Sequence, residues 1–184
     1  MRDTIKKTVD VYAKSVNGLK HIPKKWAQWT VCNNTNCYAY ALNLSKNPIT
    51  QNPFRDWSHV QPGSLCNRKK FIDWNSVLFG HDAKGIERFV KEFREDCKYI
   101  NYEVRKSSLK ECRKGEWWKV VLYFEKGDYH WYRQNDDRTW SHKVGSNSVK
   151  RTDHSGKIIT NPEICNRGDY NKLISYFLIR KKVN

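Results

Sequence analysis

The chain has 184 residues, 38% of them hydrophobic and 14% aromatic, which suits one domain with its own core and excludes a disordered chain. A net charge of +16 calls for an anionic partner, whether nucleic acid, membrane surface, acidic protein or anionic polymer, without choosing among them. Six cysteines with no C-x-x-C pair exclude zinc-ribbon and thioredoxin-like spacing, and no stretch has the length and apolarity of a membrane span.

Residues 1–30 read as a basic lead-in arm, with a short helix around residues 4–15 and packing through Trp26 and Trp29. Met1 to Lys7 lacks the apolar run of a secretory signal. The expectation is a monomer with reduced thiols, cytoplasmic as made or released without a cleaved signal. The even cysteine count permits three disulfides and requires none. Residues 31–184 then form a single domain. Asn33, Asn34, Thr35 and Asn36 favour turns and helix caps, so Cys37 falls in the first turn of a helix that runs to about Leu44 and is ended by Asn47-Pro48. From there to Gly80 the chain reads as irregular, with a turn at Gln61-Pro62-Gly63 and isolated aromatics Trp57, Phe71, Trp74 and Phe79.

Between Asp82 and Cys97, Ile86, Phe89, Val90, Phe93 and Cys97 share one face, the pattern of an amphipathic helix. Tyr99 to Val104 alternates as an outer strand does. Trp117 to Glu125, Tyr129 to Gln134 and Thr139 to Val144 follow as three strands joined by turns at Gly127-Asp128 and Asn135 to Arg138, and a last strand lies near Ile174 to Ile179. Helices first and an antiparallel meander afterwards make the α+β class.

Two residue types on this frame carry chemistry. A thiol in a first helical turn sits where unpaired backbone N–H groups favour a thiolate, and such a setting lowers a cysteine pKa from roughly 8.5 toward about 3.5 to 7.5. An imidazole on a later strand, His130, supplies a base. Cys37 equally satisfies the i, i+3, i+4, i+7 rule with Tyr40, Ala41 and Leu44, which would make it one more core residue. A third group must orient the imidazole. His142 shares a face with His130 and Tyr132 if the connecting loop holds an odd number of residues, and an even loop turns it away. Asp136, Asp137 and Asn135 at the turn are the alternatives. The Cys37 N–H, with Asn33, Asn34 or Asn36, is the candidate oxyanion donor set.

A cysteine at a helix start, in Asn36-Cys37-Tyr38-Ala39-Tyr40-Ala41, followed much later by a histidine on a meander strand, in Asp128 to Lys143, resembles the papain-like cysteine hydrolases. Within them it is similar to the compact NlpC/P60 and CHAP amidases and peptidases. The resemblance implies a papain-like domain with an insertion at about 46–98, a Cys37 nucleophile, a His130 base, a polar third residue at His142 and cleavage of an amide bond. It implies no metal or cofactor, and a peptide or peptidoglycan-like substrate. From another class comes a nucleic-acid-binding module or metal-independent nuclease, because Tyr129, Trp131, Tyr132 and Trp140 interleave with His130, Arg133, His142 and Lys143. A metal site from His130, His142 and His154 has no ligand spacing of a recognised kind.

Overall fold

The computed structural model describes residues 23–56, 60–66, 72–79 and 82–183. The expected helix at 4–15 lies outside them, as do Trp57 and Phe71. Every strand but the two-residue β5 (Val149–Lys150) carries at least one aromatic residue: β1 (Tyr102–Ser107), β2 (Trp118–Glu125), β3 (Asp128–Gln134), β4 (Trp140–Lys143) and β6 (Lys172–Lys181). The helices are α1 (Pro23–Trp26), α2 (Trp29–Asn34), α3 (Cys37–Ala41), α4 (Trp74–Leu78) and α5 (Ala83–Tyr99). The class is α+β.

All strands pair antiparallel in the order β1-β6-β2-β3-β4-β5. β2 to β4 form the expected meander, β5 extends it by a strand that was not expected, and β1 lies at an edge. The last strand does not join an edge: β6 inserts between β1 and β2, in register with both. Its burial explains this, because Tyr176 to Ile179 are covered on both faces, as a central strand requires.

One face of the sheet receives the helices. Phe89, Phe93 and Cys97 of α5 and Cys37, Tyr38, Ala39 and Ala41 of α3 pack with Val120, Leu122, Phe124, Tyr129, Trp131 and Phe177. The opposite face carries Val121, Tyr123, Tyr132, Trp140 and Tyr176, covered by Ile159 and Tyr170 from the loop before β6. Tyr129, Trp131, Tyr132 and Trp140 are therefore interior residues and offer no exposed stacking platform.

Several boundaries move. α3 stops at Ala41, short of Leu44, with Leu42 as its cap and Asn43 in the left-handed region at φ +57°. Asn33 and Asn34 close α2 rather than forming a loop, so the break before α3 is only Thr35 and Asn36. Trp26 is buried edge-on against Tyr40, whereas Trp29 is 76% exposed, so the lead-in is pinned by one tryptophan and is continuous with the domain from Pro23. α4 occupies part of the stretch expected to be irregular, capped by Asp73. Tyr99 ends α5 and Ile100 caps it, leaving β1 to begin at Tyr102. Within the span 46–98, Phe89 and Phe93 of α5 are part of the helix-side core. No helix among the described residues is long and apolar enough to cross a membrane.

Candidate active site

Asn36 fixes where α3 starts. Its Oδ1 accepts the N–H groups of Tyr38 at 3.0 Å and Ala39 at 3.1 Å, and its Nδ2 donates to the Val60 carbonyl at 2.6 Å. These bonds make it a cap and a tie to the 60–66 loop rather than a donor for an oxyanion. Cys37 follows as the first helical residue.

The thiol meets β3 at a bare edge. β4 pairs only with Tyr132 to Gln134, so the backbone from Asp128 to Trp131 has no strand beside it on that side. Cys37 Sγ takes that place, 3.9 Å from the Tyr129 carbonyl, with the Trp131 N–H also directed at the sulfur. No hydrogen bond among the described residues joins Sγ to the His130 ring. Burial pushes the thiol up to about 12, against the direction expected for a helix start. The reason is magnitude: α3 has only five residues, and a short helix end offsets little of the cost of a buried thiolate.

Alternation sets the imidazoles apart from the thiol. Tyr129, Trp131 and Arg133 point to the helices, while His130 and Tyr132 point to the opposite face, where the Tyr170 ring lies 5.0 Å from His130. The β3–β4 hairpin loop holds residues 135–139, with Asn135 N–H donating to the Thr139 carbonyl and Arg138 at φ +68°. The count is odd. His142 therefore faces the same way as His130, and its Nδ1 lies 2.7 Å from His130 Nε2. Its ring also stacks on Tyr132 at 4.9 Å.

The proton positions in this pair follow from one carbonyl. His142 Nε2 lies 3.0 Å from the Thr152 oxygen, which can only accept, so His142 carries its proton on Nε2. Burial lowers His142 to about 4 and His130 well below its ordinary 6.5, so both rings are neutral at pH 7. A neutral His142 protonated at Nε2 presents Nδ1 as an acceptor, and His130 must donate from Nε2. Nδ1 of His130 is left with its lone pair, the state of a general base.

The turn acids serve the turn. Asp136 Oδ1 accepts the Asp137 N–H, and Asp137 binds the Thr139 N–H and hydroxyl and pairs with Arg151. Asn135 is buried against Ser141 and Thr139. None of them reaches an imidazole. Asn34 is half-buried at the end of α2. His154 sits on an exposed turn, and among the described residues no three His, Cys, Asp or Glu side chains gather as a metal would need.

Four features were not read from the sequence. Thr152 terminates the imidazole chain through its backbone, which no residue type announces. Tyr170 leans on His130 and donates to Asp128 Oδ2 at 2.7 Å. Lys143, fully buried, donates to the carbonyls of Cys32, Thr35 and Gly145 and so holds the segment before Cys37 on β4; burial lowers its pKa to about 8. Asp96 of α5 accepts from Tyr38 Oη and from the N–H groups of Gly63, Leu65 and Cys66, tying the 60–66 loop and α3 to one carboxylate. All six cysteines are free thiols.

No protein-family profile matches the chain, and no solved structure matches it. Among curated proteins it is similar to insoluble matrix shell protein 1 of Ruditapes philippinarum. The two are 24% identical over 172 residues, covering 88% of this chain and 92% of the relative.

Proposed function

We propose that the chain is a cysteine hydrolase, a peptidase or amidase of papain-like arrangement, with Cys37 as nucleophile, His130 as base and His142 as the residue that orients it. What supports this most is the one-way hydrogen-bond chain from Thr152 through His142 to His130. It leaves Nδ1 of His130 basic on the strand whose open edge holds the Cys37 thiol. Both groups are neutral at rest and have no hydrogen bond to each other, so the reaction requires a side-chain movement that brings Sγ to the His130 ring. The thiol proton then passes to Nδ1 as sulfur attacks the amide carbon. The imidazolium then protonates the departing amine, and water releases the acyl group from sulfur. The Cys37 N–H, at the start of α3, donates to the oxyanion. The charge of +16 favours an anionic peptide or peptidoglycan-like substrate.

Cys97 provides the internal reference for a test, since it is a buried cysteine of the same core and no histidine is among the groups that act on it. Iodoacetamide labelling, followed peptide by peptide, should modify Cys37 on the order of 10²-fold faster than Cys97, and His130→Gln should remove that advantage. Equal rates for the two thiols in the native protein would sink the enzyme reading.

A second reading is favoured by the relative, which aligns over nearly the whole of both chains and is named for an insoluble matrix. In it the chain is a non-catalytic matrix component, with Cys37 acting as the edge cap of β3. Cys37→Ala would then leave every property but stability unchanged.

A further inference from the structure

Away from the cysteine, the ends of α3 and α5 and the end of β6 border an open pocket of about 330 Å³. Lys25, Lys46, Lys181 and Lys182 line it, and no acidic side chain does. The four lysines come from three separate parts of the chain, and the pKa of Lys25 is lowered first by burial and then by the charges of Arg133, Lys181 and Lys46. Like charges drawn together without a carboxylate are unfavourable unless something else neutralises them.

The wall behind them adds a fifth cation. Arg133 is fully buried, and its Nη1 donates to the Tyr40 carbonyl at 3.0 Å and to Asn43 Oδ1 at 3.2 Å, Asn43 being a lining residue. Its guanidinium lies over the Tyr40 ring at 3.9 Å, while Nε and Nη2 have no hydrogen-bond partner. A buried guanidinium without a carboxylate is a costly arrangement. The competing explanation is that the lysines cap the C-termini of α3 and α5, whose carbonyls attract cations. Among the described residues, however, none of the four ammonium groups donates to a carbonyl there. Glu103, whose charge Lys182 does influence, is engaged with Arg180 outside the cavity.

The geometry points to an anion-binding site at this corner, with Lys25, Lys46, Lys181 and Lys182 surrounding a tetrahedral oxyanion, the group common to phosphate and sulfate esters. The volume admits one such group and its immediate linkage, at the small end of ligand pockets. No exposed aromatic ring lines it, so it reads charge rather than a base or a sugar face. It is independent of the cysteine chemistry.

The test is a calorimetric titration of the full chain with pyrophosphate at fixed ionic strength, with inorganic phosphate and sulfate as competitors and acetate as the monovalent control. Saturable one-site binding is expected. Lys46→Gln with Lys182→Gln should weaken it roughly tenfold, from two partly exposed charge contacts. Lys91→Gln with Lys106→Gln removes the same net charge from exposed positions elsewhere and should change it less than about twofold. Phosphate and sulfate should displace pyrophosphate, and their relative strength separates a phosphate ester from a sulfate ester as the natural source. Absence of saturation, equal weakening by both pairs of substitutions, or displacement by acetate at equal concentration would each overturn the proposal. All four substituted lysines are exposed, so circular dichroism should show an unaltered fold.

Discussion

The Thr152 carbonyl acts at a distance of two rings: by accepting from His142 it decides which nitrogen of His130 is basic. The same burial that keeps both rings neutral makes the fold sensitive to acid. A histidine held below its unfolded pKa binds its proton more readily in the unfolded chain, so stability rises with pH through that window and is lost as pH falls from about 6.5 toward 4. His142 alone accounts for about 3 kcal/mol over that interval, and His130 adds in the same direction. Urea denaturation from pH 7 to 4 should show this fall, and His142→Gln, which does not titrate there, should flatten it. Cys37 follows an opposing logic: its raised pKa makes thiolate formation unfavourable in the fold until pH approaches 12. Alkylation at pH 8 should therefore reach the exposed Cys112 before Cys37, even if His130 assists the latter.

Element by element, α5 is the support on which the 60–66 loop and α3 both rest, through Asp96. Burial raises the pKa of this carboxyl, and the N–H and hydroxyl donors around it work against that rise. Asp96→Ala leaves Tyr38 Oη and three backbone N–H groups of a buried loop without their acceptor. A loss of about 3 kcal/mol or more is expected in chemical denaturation, with new protease cleavage between Val60 and Cys66. The amphipathic spacing of α5 and the alternation of β2 to β4 were legible in the sequence because they are local periodicities. The run Asn33 to Asn36 was legible as a cap-forming segment, whereas the choice of Asn36, as cap and not oxyanion donor, rests on its bonds to the Tyr38 and Ala39 N–H groups. Asp96 was not, because its role depends on donors some thirty residues upstream, and in the helix it reads as one more charge on the polar face. The orientation of His142 was legible only as a condition on loop parity, which the left-handed Arg138 then satisfied. The thiol pKa was misjudged because a helix start is visible in sequence and the burial of that start is not.

For the molecule as a whole, the decisive feature is the position of β6. Strands β2 to β5 are made in order and could pair as they emerge, but β1 has no neighbour until β6 arrives to lie between it and β2. The helix-side core is equally incomplete, because Phe177 packs against Phe93 and Trp131 at its centre. Phe177, Leu178 and Ile179 are fully buried, and each contributes about 1.5–3 kcal/mol by leaving water. Together these three side chains match the net stability of a typical domain, about 5–15 kcal/mol, before any lost hydrogen-bond ladder is counted. Deleting residues 172–184 should thus abolish the cooperative fold rather than fray an edge. The truncated chain is expected to lose its near-ultraviolet circular dichroism and its unfolding transition, and supplying 172–184 as a separate peptide should restore both in proportion to its concentration. A truncated chain that still melts cooperatively on its own would place the organising core in β2 to β5 and leave β6 as an addition to it.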